Sequence, residues 1–104
     1  MNYIYKDHEL YVLKDDANYL VHATFPLLKK GVVNIDHTYV DMSLRGQGVA
    51  SEMMHAAMAY IIEKKYKVVA TCPYAVSWLK KHKEYDTHVD HETMAHMGEA
   101  CIIT

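Results

Sequence analysis

Cysteine, proline and glycine are scarce in this 104-residue chain, at two, two and four residues. Cys72 and Cys101 stand far apart and neither sits in a CxxC spacing, which argues against a disulfide-stapled secreted scaffold and for a reduced compartment. With so few prolines and glycines there is no linker or low-complexity stretch, and no internal repeat is visible. No run approaches the roughly 20 apolar residues of a membrane span. The segment from Met1 to His8 meets charge at Lys6 and has no apolar signal core, so a cytoplasmic protein without membrane association is expected. An excess of basic charge is also missing: 11 Lys and Arg face 13 Asp and Glu, for a net charge of −2. A sequence-independent nucleic-acid binder needs a dense basic surface and is excluded.

What is present is a globular composition, 51% hydrophobic and 23% charged, with length for one domain spanning residues 1–104. Aromatic and β-branched residues in Glu9–Leu13 and again in Tyr19–Phe25, separated by the polar Lys14 to Asn18, predict an antiparallel hairpin. Val32 to Val40 reads as a third, continuous strand, with Val33, Ile35, His37 and Tyr39 on its more apolar face. From Gly48 to Lys65 the period changes, and Ala50, Met53, Met54, Ala57, Met58 and Ile61 form the stripe of an amphipathic helix. Tyr66 to Cys72 reads as a buried strand returning parallel to the strand before the helix. Pro73 then opens a second helix reaching Lys83. The order predicts an α/β (α+β) sandwich with helices on the sheet. The core is expected over about residues 8–88, with 89–104 as a C-terminal tail or an edge strand from Glu99 to Thr104. His88, His91, His96 and Cys101 match no closed zinc spacing, so no metal is expected.

The stretch Arg45-Gly46-Gln47-Gly48-Val49-Ala50-Ser51 joins a strand to the long helix. Unpartnered amides at a helix start, with the helix dipole, attract anions. Gly46 and Gly48 permit close approach to the backbone, and Arg45 adds a cation at the mouth. These features predict a pyrophosphate site. A dinucleotide fingerprint would need Gly or Ala where Ser51 stands, and a Walker loop would need Lys then Ser or Thr where Val49 and Ala50 stand. The plainer reading is that the two glycines only turn the chain into the helix.

This order of elements resembles the acetyl-CoA-binding core of the GNAT superfamily of N-acetyltransferases. Arg45, Gly48 and Ala50 match its Q/R-x-x-G-x-G/A signature. His37-Thr38-Tyr39-Val40 upstream, and Cys72-Pro73-Tyr74-Ala75 with Trp78, Leu79 and His82 downstream, look like its small, single-domain branch. The resemblance implies a minimal GNAT fold: a mixed, mostly antiparallel sheet with two main helices and a parallel strand pair splayed at the acetyl site. It implies that acetyl-CoA is the cofactor. Gln47, Gly48, Val49, Ala50 and Ser51 would offer backbone N–H groups to the pyrophosphate, with Arg45 and Gly46 beside them. The backbone of Tyr39, Val40 and Asp41 would pair with the pantetheine arm, and the thioester would lie near Cys72, Pro73 and Tyr74.

Cys72 and His37 are the catalytic candidates. Across neighbouring strands they would face each other, and Cys72 could accept the acetyl group itself; direct transfer with His37 or a water chain as base fits the same residues. The plainer fates are a hydrogen-bonded histidine in a half-buried strand and a cysteine serving as a small hydrophobe. Tyr74 is the nearest counterpart of the superfamily's general acid. Tyr74 and Trp78 would cover the pocket or pack the core. Lys80, Lys81 and Lys83 would meet adenosine phosphates or complement the helix dipole. The function expected is acetyl transfer to an amine of a small molecule or protein; alternatives are a CoA-binding module without catalysis and a domain with no ligand. Little chain remains to shape the acceptor side, so an open pocket, or one completed by a second copy or a protein partner, is expected.

Overall fold

The computed structural model describes residues 1–103, with side chains through Met97. Its hairpin forms where alternation and turn chemistry agree. Strands β2 (Glu9–Leu13) and β3 (Tyr19–Thr24) pair antiparallel, and Asp15 Oδ1 fixes the turn by accepting the N–H groups of Ala17 and Asn18, each at 2.9 Å. Strand β1 (Ile4–Lys6) flanks β2. Strand β4 (Leu27–Lys29) pairs antiparallel with β5 (Val32–Ile35).

The run Val32 to Val40, expected as one strand, is two. It breaks at Asp36, whose N–H turns to Thr24 O at 3.3 Å. Beyond it, β6 (His37–Val40) joins β3, giving a four-stranded antiparallel sheet in the order β1-β2-β3-β6. Strand β5 stays in a separate three-stranded sheet, β4-β5-β7, where it runs parallel to β7 (Lys67–Ala70). The break also changes which side chains are covered. Val33 and Ile35 are fully buried, but His37 and Tyr39 are exposed, and Thr38 and Val40 are half-buried. His37 is therefore not on the apolar side that its spacing from Val33 and Ile35 predicts.

Helix α1 (Val49–Glu63) buries Val49, Met53, Met54, Ala57, Met58 and Ile61. Val49 takes the place expected of Ala50, which is half-buried. This face packs on Leu10, Val21, Ala23, Phe25, Val33, Ile35 and Val68, drawn from both sheets. A side chain such as Met58 or Ile61, wholly removed from water, contributes about 2 kcal/mol to the hydrophobic term. Helix α2 (Pro73–Lys81) buries Ala75, Trp78 and Leu79, with Pro73 in its first turn. A short 3₁₀ turn, Lys83–His88, leads toward helix α3 (His91–Ile103). That helix corrects the expected tail or edge strand. Asp90 starts it, accepting the Thr93 N–H at 3.1 Å. Cys101 and Thr104 lie outside the residues whose side chains are described. Among the described residues no helix is long and apolar enough to cross a membrane.

Candidate functional site

The two sheets part where the chain leaves Ile35. Thr71 N–H and Cys72 N–H both reach Ile35 O at 3.2 Å, the last bonds between β5 and the segment leading from β7 into α2. Past this point β6 leaves for β3 and the chain beyond β7 turns into α2. Strand β6 is the end strand of its sheet, with one side unpaired among the described residues. Asp41 N–H donates to Leu20 O at 2.8 Å, which sets the ladder parity. His37 and Tyr39 bond toward β3, and the backbone groups of Thr38 and Val40 turn to the open edge. Arg45 Nε meets Val40 O there at 3.4 Å.

Against this edge lies a groove of about 390 Å³, lined by Thr38, Val40, Arg45, Gly48, Ala50 and Tyr74 among others, a size usual for small-molecule sites. The turn into α1 forms one wall. Gly46 and Gly48 have φ of 82° and 75°, a left-handed conformation that costs a residue with a side chain about 1 kcal/mol or more. Beyond the neighbouring residues, no atom of the described residues lies within 4 Å of where a Cβ at either position would stand. Both glycines line the groove, so their missing Cβ atoms leave room there. Gly48 is the N-cap of α1 and supplies no side-chain cap. The first helical bond runs from Glu52 N–H to Gly48 O at 3.1 Å. The amides of Val49, Ala50 and Ser51 precede it and point out of the helix end, with the positive end of the dipole behind them.

Of the residues that the sequence offers for the cofactor, Tyr39, Val40, Arg45, Gly46, Gly48, Val49, Ala50 and Tyr74 line the groove. Asp41, Gln47, Ser51, Cys72 and Pro73 do not, and several of their side chains have other work. Asp41 accepts the Ser43 N–H and hydroxyl, at 3.1 and 2.6 Å. Gln47 Nε2 donates to Ser43 O at 3.1 Å. Ser51 Oγ accepts Trp78 Nε1–H at 3.0 Å, tying α2 to α1. Lys80 and Lys81 lie in the last turn of α2, at the end remote from Tyr74; Lys80 and Lys83 border a separate hollow.

The expected Cys72–His37 pair is absent. Thr38 faces the cysteine instead, its Oγ1 3.2 Å from Cys72 Sγ. Thr38 lines the groove, so Cys72 stands one side chain behind the wall. His37 packs edge-on against His22, with ring centroids 5.1 Å apart, in a second hollow with Tyr19, Tyr39 and Asp41. The reason is the break at Asp36: one extra residue between the sheets exchanges the faces of everything after it. Thr38, Leu44 and Met53 are groove residues the sequence does not single out. The β-branched Thr38 within His37-Thr38-Tyr39-Val40 was the available signal. Tyr74 is 40% exposed, and the burial of its hydroxyl pushes its pKa up.

Known proteins are similar to this chain in sequence and fold. The family described as GCN5-related N-acetyl-transferase matches residues 10–89. Protein NATD1 of Xenopus tropicalis is 34% identical over 53 residues, covering 51% of this chain and 49% of that protein. Human Protein NATD1 is 32% identical over 53 residues, 51% of this chain and 47% of its own. The matched stretch thus spans about half the length of these relatives. A GCN5-like protein from Staphylococcus aureus, solved by NMR in solution, superposes with a TM-score of 0.70 at 29% identity, covering 82% of this chain and 83% of that one.

Proposed function

The chain belongs to the family of GCN5-related N-acetyltransferases, and on that premise we propose that its groove binds acetyl-CoA and that the protein moves the acetyl group to an amine of a small molecule or protein. One observation carries the reading: uncapped amides at the start of α1 and an unpaired strand edge at β6 border the same groove. The amides of Val49, Ala50 and Ser51, with the Arg45 guanidinium, hold the pyrophosphate. Thr38 and Val40 offer N–H and C=O groups to the amides of the pantetheine arm, as a strand would. The space left by the absent Cβ atoms of Gly46 and Gly48 fits a ligand drawn close to backbone.

Acetyl-CoA supplies an activated acyl thioester. Tyr74 borders the groove and its pKa is raised by burial; protonated at neutral pH as any tyrosine is, it is the proton donor of this reading. Thr38 Oγ1, on the groove, holds Cys72 Sγ behind it. Cys72 is then either an acyl acceptor reached past Thr38 or a packing residue behind the wall, and one measurement separates the two. Intact mass after incubation with acetyl-CoA is expected to show one acetyl group in wild type and none in Cys72→Ala if the thiol takes part. Retained turnover in Cys72→Ala assigns direct transfer.

A second reading is a CoA-binding module without catalysis. It is favoured by the position of His37, which is turned away from Cys72 and leaves the sulfur without its expected base. CoA binding by calorimetry together with no turnover over a broad amine panel would select it. Failure of CoA to bind at all would end both readings.

A further inference from the structure

On the far side of α1 from its buried face, His55 meets the end of α2. His82 caps that helix and Glu84 lies just beyond it in the 3₁₀ turn Lys83–His88. One ligand atom from each of these three residues lies within 4.8 Å of the other two. None of the three lines the groove, and none is among the residues offered for acetyl-CoA.

The imidazoles are held in place. His82 Nδ1 lies 2.8 Å from Trp78 O. A carbonyl only accepts, so Nδ1 carries the proton and the Nε2 lone pair is free; this is the second-sphere bond usual for a metal-bound histidine. His55 Nδ1 is likewise engaged, 2.7 Å from Tyr85 Oη. The rings are stacked and edged against one buried indole. His82 lies flat on Trp78 with centroids 3.8 Å apart and planes 13° apart, and His55 stands edge-on to the same ring at 4.9 Å. Trp78 is 4% exposed and is pinned by its bond to Ser51. Glu84, which is exposed, forms no salt bridge among the described residues.

We propose that His55, His82 and Glu84 form a site for one divalent transition-metal ion of the zinc type, clamping α1 to the end of α2. Two imidazoles and a carboxylate are a common zinc donor set, with a fourth position left to water. Ligand bonds of about 2.1 Å in a tetrahedron put donor atoms roughly 3.4 Å apart. Separations within 4.8 Å would have to shorten toward that value on binding, a movement open to the exposed Glu84 and His55 side chains. The ion would join two helices that both contribute residues to the groove, and its binding does not depend on acetyl transfer.

The test uses tag-free, full-length protein freed of metal by a chelator and titrated with Co²⁺, then with Zn²⁺ as competitor. Wild type is expected to saturate at one equivalent with the visible absorption of four-coordinate Co²⁺, and Zn²⁺ should bleach it. His82→Ala and His55→Ala should each weaken binding roughly tenfold or more, and Glu84→Gln should do so without disturbing the fold, since that side chain is exposed. Zn²⁺ at a fixed concentration should raise the Tm of wild type by more than that of Glu84→Gln. His91→Ala and Cys72→Ser should bind as wild type does. Lack of saturable binding in wild type overturns the proposal. So does unchanged affinity in the three ligand variants, or a loss that tracks His91 or Cys72 instead.

Discussion

Asp15, Asp41 and Asp90 do similar work at three places: each accepts short bonds that shape a turn or a helix start. Hydrogen bonds hold each carboxyl below its ordinary 3.8, the Ala17 N–H at Asp15, the Ser43 hydroxyl at Asp41 and the Thr93 N–H at Asp90. A depressed folded-state pKa means that the folded state binds the proton less readily than the unfolded chain does. The resulting stability is in place above the unfolded value and is lost as pH falls through the folded one. The contribution of these three groups should therefore be fully present above about pH 5 and be lost below pH 4 as they titrate. Asp90→Asn keeps an acceptor for Thr93 but removes one titration, so its urea midpoint should fall less between pH 5 and 3 than that of wild type. An equal slope would show that Asp90 contributes nothing to acid sensitivity. At this same scale the sequence was legible in type more than in partner. Cys72 near the end of β7 could be read from its neighbours, and that Thr38 rather than His37 would meet it could not, because the partner is decided by one residue of parity at Asp36.

Elements were legible where pattern and punctuation agreed. The stripe of α1 and the hairpin of β2 and β3 come directly from periodicity, and the polar turn from Lys14 to Asn18 fixes where the hairpin reverses. The run from Val32 to Val40 misled because alternation continues unbroken across a change of sheet; nothing local distinguishes a strand from two strands joined by one bonded aspartate. The C-terminal run Cys101-Ile102-Ile103 looks strand-like in isolation, yet it continues a helix already started by Asp90. The end of α1 is unusual in a testable way. Lys65 has φ of 64°, and its N–H reaches Ile62 O at 2.9 Å while Tyr66 N–H reaches Ile61 O at 3.1 Å. This is the glycine-favouring end of a helix with a lysine in it. Lys65→Gly should stabilise the protein by about 0.5–1 kcal/mol, read as a rise of a few degrees in Tm, and a fall would show that the lysine side chain holds something the backbone conformation does not account for. The start of the helix gives a paired comparison. Gly48→Ala and Gly31→Ala place a methyl at φ of 75° and 78°, each in open space, so both should lose about 1 kcal/mol of stability. Of this pair, Gly48 borders the groove and Gly31 does not. Calorimetry should show CoA affinity reduced about tenfold in Gly48→Ala and unchanged in Gly31→Ala, a factor of ten being about 1.4 kcal/mol of lost binding. Equal affinities in the two variants would separate the glycine turn from the ligand.

At the scale of the whole molecule the question is how two sheets that diverge after Ile35 behave as one folding unit. Strand β6 leaves β5 at Asp36, so hydrogen bonding alone would let the halves come apart, and the divergence that opens the groove weakens the sheet as a continuous structure. Helix α1 supplies the missing connection. Its buried face packs on Leu10, Val21 and Ala23 of one sheet and on Val33, Ile35 and Val68 of the other. Met58, wholly buried within that face, should be costly to truncate: Met58→Ala should lose about 2–5 kcal/mol, a large share of the stability of a domain of this size. The loss should be shared by both halves. Trp78 sits on α2 and reports the side of β7, while far-UV circular dichroism reports the whole chain. Urea unfolding monitored by Trp78 fluorescence and by circular dichroism should give coincident transitions in wild type, and both should shift together in Met58→Ala. Two separated transitions would mean that the halves fold independently. The groove between them would then be a hinge, not a fixed cradle, and CoA would be expected to draw the two transitions into one by binding across it.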